Sequence, residues 1–206
     1  MFGTVSEPPR GSAVDDAGAD PPVRRHLSER QAEAVERLVE AAALEVEEHS
    51  YAEISVRSVA RRAGVAAATA YTYFSSKDHL LSEVLWRRMR SAPHLVDLSR
   101  PMPERVAEAV RTMGFGTGEA PDVADACTTA LLGDGPDVKQ VRARIGGEIA
   151  RRLEAALGPG ADPAVLKVLQ ITYTGAILSA GMGHVRFADV PDLLAEAATL
   201  MDRGAA

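Results

Sequence analysis

Cysteine is all but missing. Cys127 is the single thiol in 206 residues, which excludes an intramolecular disulfide and any multi-cysteine zinc site, and fits a reducing, cytoplasmic setting. Aromatic residues make up 4%, and β-branched residues come in short scattered groups, so a sandwich or barrel lacks its material. Long hydrophobic runs are missing as well. The longest uncharged stretch of the apolar C-terminal part, Val168 to Gly183, has 16 residues and contains Gln170, Ser179 and three glycines. It is too short and too polar to span a bilayer and reads as a buried helix, so no membrane partner is expected. No basic stretch followed by an apolar run opens the chain, hence no signal peptide is expected, and residues 1–27 read as a disordered tail.

The patterns that catalysis needs are absent too. His26, His49, His79, His94 and His184 are dispersed, with no His-Glu-x-x-His pair, and no Gly-x-Ser-x-Gly elbow or Walker loop occurs. Gly114, Gly116 and Gly118 around Phe115 form a glycine run, but no strand precedes it, so it reads as a linker. The expectation is a protein that is not an enzyme and has no cofactor and no metal.

What is present suits helices. Hydrophobic residues make up 46% and charged residues 25%, which is globular, and alanine is abundant. The net charge of −6 is unevenly spread, at −3 over residues 1–22, +1 over 23–91 and −4 over 92–206. Within the middle segment, Ser55 to Lys77 carries Arg57, Arg61, Arg62 and Lys77 and no acid. An anionic partner would dock there.

Ser28 and Gln31 form a capping-box pattern, and Ala34, Leu38, Ala41, Ala42 and Val46 follow at helical spacing, predicting a first helix to about Glu48. Ser55 caps a short second helix with Val56, Val59, Ala60 and Ala63 inward, and Gly64 ends it by taking positive φ. Val65 plugs back onto the core, and a third short helix starts near Ala66 or Ala67. Two short helices joined by such a turn make a helix-turn-helix. Ser75 and Ser76 cap a longer helix from Lys77 to Ser91. Further helices are expected over about 103–114, 121–132, 137–157, 163–184 and 191–203, with Gly146 and Gly147 kinking the third of these or allowing a close contact.

The run Ser55-Val-Arg-Ser-Val-Ala-Arg-Arg-Ala-Gly-Val65, then Thr69-Ala-Tyr-Thr-Tyr-Phe74, then Ser76-Lys77-Asp78 and Leu80-Leu81, resembles the N-terminal domain of TetR-family transcriptional repressors over about residues 31–90. The resemblance implies an all-α fold with a helix-turn-helix head at 28–75 and a ligand-binding and dimerisation domain at 76–206. It also implies a homodimeric repressor that binds a palindromic double-stranded operator and is released by a small molecule. A recognition helix must be slim to reach base edges, and Ala66, Ala67, Ala68 and Ala70 make this one so. Thr69 can pack on a thymine methyl, and Arg57 can fork onto guanine. Ser55, Tyr71, Tyr73 and Lys77 suit phosphate, and Thr72, Ala67 and Ala68 complete the expected DNA-binding set. Ala66 and Ala68 depart from the Ser and Gly frequent in the family, which removes an N-cap and shifts specificity toward Arg57, Thr69 and DNA shape.

Gly175, Ser179 and Gly183 recur at four-residue spacing, and Leu193, Leu194, Ala197 and Met201 line one stripe of the last helix. Both are candidate dimer faces. Trp86, Met113, Phe115, Cys127, Thr128, Leu131, Ile149, Leu153, Tyr173, Ile177, Met182 and His184 are the candidate pocket residues, mainly apolar and thus suited to a hydrophobic or amphipathic effector. The competing reading is a helical sequestering protein with a vestigial head, which would have no operator.

Overall fold

The computed structural model describes residues 29–113 and 121–205. Among these the chain forms nine α-helices and no strand. Ser28, the tail and Phe115 lie outside the described residues. The first helix, α1 (Glu29–Glu48), buries Ala34, Leu38, Ala41, Ala42 and Val46, the face its spacing predicted. It also buries Glu45, which the pattern did not foretell.

Ser55 opens α2 (Val56–Arg62) with a reciprocal capping box. Its hydroxyl accepts from the Ser58 backbone N–H at 3.0 Å, while Ser58 Oγ accepts from the Ser55 N–H at 3.1 Å. The helix ends in a left-handed glycine. Gly64 has φ +64°, and the Val65 N–H reaches the Ala60 carbonyl at 2.9 Å, which returns Val65 to the core. Next comes α3 (Ala67–Tyr73), whose N-cap Ala66 makes no side-chain cap. It is anchored by buried Ala70 and by Phe74 just beyond its end. Ser76, the second of the two serines, caps α4 (Lys77–Ser91) by accepting from the His79 N–H at 3.0 Å.

The long helix α4 joins the two halves. Leu80, Leu81, Val84, Leu85 and Met89 are all buried on it, and it packs against α1, α6 (Pro121–Leu131) and α7 (Pro136–Leu157). Burying each such leucine favours the fold by about 1.5–3 kcal/mol. Beyond it, α5 (Met102–Arg111) packs on α9 (Val190–Ala205), and α8 (Pro163–Gly181) packs on α6, α7 and α9. Proline opens α7 and α8 at a position whose N–H has no helical partner.

Several expectations need correction. The helix expected to start at 163 stops at Gly181, because Gly183 at φ +76° closes it with a His184 N–H to Ser179 carbonyl bond of 2.9 Å. That helix is not buried. It is long and apolar enough by composition to cross a membrane, with a mean hydropathy of 1.2, yet only 17% of the stretch is covered. Leu169, Tyr173, Ile177 and Ala180 face inward, while Val168, Ile171 and Gly175 lie open. Across Gly146 and Gly147, α7 runs as one continuous helix, and a Cβ at either would meet nothing. The spacing had suggested a kink or close contact there; within the chain both glycines lie on the exposed face.

Among the described residues Arg152 is the largest fully buried side chain, 1% exposed. Its Nε donates to Glu148 Oε1 at 2.7 Å, Nη1 to the Thr112 carbonyl at 2.9 Å, and Nη2 to the Met89 carbonyl at 2.6 Å and the Ala92 carbonyl at 3.2 Å. It therefore ties the C-terminal ends of α4 and α5 to α7, where the orphan carbonyls and the helix dipoles favour a cation. Hydrogen bonds from Arg151, and then from Arg152, hold the Glu148 carboxyl down at about 2. The unfolded group sits near 4.5, so its stabilisation is present above that pH and is lost as pH falls toward 2. Acidification across this interval is expected to cost the wild type on the order of 1–2 kcal/mol more than Glu148→Gln, allowing for solvent screening. Urea unfolding at a series of pH values measures this; parallel curves for the two proteins would refute it.

Candidate nucleic-acid interface

The exposed face of α2 and α3 gathers most of the residues expected to meet DNA. Arg57, Arg61, Ala68, Thr69, Tyr71 and Thr72 are exposed, and Ser55, Ala67 and Tyr73 are half-buried beside them. A cleft between the two helices is lined by Ser55, Arg57, Ser58, Arg61, Val65 and Ala67. Tyr71 is 49% exposed, whereas the Tyr73 ring packs against the core. Thr72 Oγ1 donates to the Ala68 carbonyl at 3.1 Å, one turn back in its own helix, leaving its lone pairs outward.

The basic residues of this window divide into two groups. Arg62 forks onto Glu48, with both bonds at 2.6 Å, and reaches buried Glu45 at 3.4 Å. The pairing raises the Arg62 pKa further and lowers that of Glu48. Arg62 thus fastens α2 to α1, and its charge is spent within the chain. Among the described residues, neither Arg57 nor Arg61 makes an ion pair. Their charge remains available to an anion.

Lys77 differs from expectation. Its Nζ donates to the Tyr51 carbonyl at 2.8 Å and lies 3.9 Å from the centre of the Tyr51 ring, so it holds the α1–α2 connection against α4 instead of standing free for phosphate. The Tyr51 hydroxyl in turn donates to Asp78. Burial, reinforced by that carboxylate, pushes the Tyr51 hydroxyl up to about 12. Sequence reasoning missed Tyr51, although an aromatic residue between two helices of a small head is a readable sign of an anchor.

The candidate pocket residues fall into two sets. Met113, Cys127, Leu153, Tyr173 and Ile177 share one core cluster, with Trp86, Leu131 and Ile149 packed at its margin. The Thr128 hydroxyl is satisfied by the Ala124 carbonyl at 2.7 Å, and burial pushes the Cys127 thiol up to about 12, which leaves it unreactive. Burial likewise raises the Tyr173 hydroxyl. Met182 and His184 do not join them. Both are exposed past the end of α8, because the glycine closure at 183 turns the chain outward. The candidate dimer residues also divide. Leu194 is fully buried within the chain and cannot meet a partner, and Ala197 and Met201 pack against the same core. Leu193 is partly open, as are Leu200 and the outer face of α8. Gly183 belongs to the helix closure instead of the small-residue stripe.

Residues 38–84 match the family model for bacterial regulatory proteins of the tetR family. An uncharacterized HTH-type transcriptional regulator of Mycobacterium tuberculosis is 43% identical over 178 residues, which span 85% of this chain and 84% of the relative. One from Mycobacterium bovis matches to the same extent. Among solved structures, a TetR transcriptional regulator from Rhodococcus sp. RHA1 is similar with a TM-score of 0.67 at 25% identity, over 84% of this chain and 97% of that one. The SmeT–triclosan complex shares the fold at 18% identity and a TM-score of 0.53, over 79% and 88%. The mycobacterial and Rhodococcus relatives are regulators of transcription, not enzymes. A capped helix-turn-helix with exposed arginines on its outer face, carried on an all-helical body and matched by these relatives, places the chain in the TetR family of bacterial transcriptional regulators.

Proposed function

We infer that the protein is a homodimeric repressor that binds a palindromic operator and is released by a hydrophobic or amphipathic small molecule. The observation that carries this reading is the division of charge on the head: Arg62 is neutralised, while Arg57 and Arg61, beside slim, exposed α3, have no acidic partner among the described residues. In a chain of net charge −6, unpaired cations beside a groove-sized helix are a footprint for phosphate and base edges. The head then comprises about residues 28–75 and the effector and dimer body residues 76–206. The open outer face of α8 supports the dimer. The shared core of Met113, Cys127, Leu153, Tyr173 and Ile177 supports an apolar effector site, and a protein of the same fold has been solved with triclosan.

The test is salt-titrated binding of the purified protein to a fragment library that includes the DNA upstream of its own gene. Enrichment of one palindrome, with affinity falling as salt rises, is the expected result. Only weak, sequence-blind binding would favour the sequestering alternative. Arg57→Ala is expected to weaken operator binding by about 1–3 kcal/mol and to relax preference at one base position in each half-site. A uniform loss over all sequences would reassign Arg57 to phosphate.

A further inference from the structure

Between α6 and the end of α8 lies a cleft of about 530 Å³, within the roughly 300–1,000 Å³ of small-molecule sites. Its lining is apolar at Ala180, Val185, Phe187 and Ala188 and acidic at Asp122 and Asp125 of α6. Glycine leaves the room. A Cβ on Gly181 would already touch α6, 3.6 Å from Asp125 Oδ1 and 3.7 Å from Thr128 Cγ2, and the left-handed Gly183 turns the chain so that residues 185–188 complete the lining. The charge of the cleft is one-sided. Arg186 also lines it, but its guanidinium forks onto Asp189 at 2.9 and 2.6 Å, which satisfies that cation locally. Asp122 and Asp125 stand three residues apart and so share a helix face, with Cβ atoms about 5–6 Å from each other. Among the described residues neither makes an ion pair or a hydrogen bond. The helix N-terminus favours Asp122 in the first turn, but Asp125 lies beyond that turn, and two like charges at this spacing repel.

We propose that this cleft binds a small amphipathic cation, its ammonium or amidinium group held by Asp122 and Asp125 and its apolar part laid against Phe187, Val185 and Ala180. Charge complementarity selects this class. An anion is repelled by both carboxylates, and a neutral apolar molecule strips water from them without giving a partner in return. A bare cation gains little, because an exposed carboxylate–ammonium pair is weak in water. The apolar contact therefore supplies affinity and the two carboxylates supply choice. The cleft shares no residue with the core of Met113, Cys127, Leu153, Tyr173 and Ile177, so the site goes beyond the effector reading above, and its test uses no DNA.

Three probes that differ in charge on one ring system test this by titration calorimetry of the full-length protein: naphthylmethylammonium, neutral naphthalenemethanol and anionic naphthoate. Wild type is expected to bind the ammonium about tenfold more tightly than the alcohol, with naphthoate weaker than either and the preference shrinking as salt rises. Replacing both carboxylates, Asp122→Asn with Asp125→Asn, is expected to bring ammonium and alcohol within about threefold of each other. Ala188→Trp places a ring in the cleft at an exposed position, so the fold is spared and all binding there is expected to fall more than about tenfold. Thermal unfolding checks that each variant is folded, and should the paired substitution fail to fold, Ala188→Trp and the wild-type comparison still decide. A wild type that does not bind the ammonium, or that binds the three probes alike, overturns the proposal. So does a preference that survives in the folded carboxamide variant, which would place the cation elsewhere, or an affinity undiminished by Ala188→Trp.

Discussion

Arg152→Met is expected to lower the free energy of unfolding by about 3–5 kcal/mol, the range for removing one partner from a buried charged network. The native arginine makes bonds to three carbonyls and a carboxylate with almost no exposure. Methionine restores most of the volume but no donor. The Met89 carbonyl is deprived of its bond at the end of α4, and an unsatisfied buried carbonyl costs about 1–3 kcal/mol. Glu148 keeps Arg151, which bonds it at 2.8 and 2.6 Å, so the carboxylate is not stranded and the loss stays below a sum over all the contacts. Lysine keeps the charge but lacks the planar fork that reaches all three carbonyls, so Arg152→Lys should fall between wild type and Arg152→Met. Urea unfolding measures the difference, provided the slope with denaturant is unchanged. A loss below about 1 kcal/mol for Arg152→Met would mean that water replaces the guanidinium at little cost, and the hub would then not organise the helix ends.

Why the hub escaped the sequence reading is instructive. Val138, Val141, Ile145, Leu153 and Ala156 are buried on α7 at helical spacing, and Arg152 falls in the same stripe. A charge in a core position, four residues after Glu148, is a readable signal of a buried pair, but nothing local says that its other partners lie on α4 and α5, sixty and forty positions away. The helices were legible because each is bounded by Ser, Pro or Gly and has an apolar period. The head was legible because capping and the Gly64 turn are local. Tertiary choices were not. Arg57 and Arg62 look alike in the sequence; only the approach of α1 separates the paired arginine from the free one. The same holds for Leu193 and Leu194, adjacent residues of which one is partly open and the other fully buried against the neighbouring helices. Met182 and His184 were misplaced for a different reason, since the Gly183 closure shortens α8 and sends both outside.

Ile171→Asp is expected to convert the proposed dimer to a monomer and to lower operator affinity by more than about a hundredfold. Ile171 is 64% exposed and Val168, one turn before it, 47%, on a helix whose inward residues are Leu169, Tyr173, Ile177 and Ala180. An apolar stripe this open on a helix of mean hydropathy 1.2 calls for a cover. Gly175 lies four residues beyond Ile171, with open space where a Cβ would stand, so a partner helix can approach closely there. In a two-fold interface the same residue occurs on both sides, so one substitution places two carboxylates in the contact and desolvates both. The fold should survive, because the side chain points away from the core; thermal unfolding at low protein concentration checks that. Sedimentation reads the assembly state, and operator binding reads its consequence, since one head grips only a half-site while two linked heads gain from effective concentration. A variant that remains dimeric with wild-type operator affinity would move the interface off α8. A variant that is monomeric yet keeps full affinity would show instead that the heads assemble on DNA without a dimer formed beforehand.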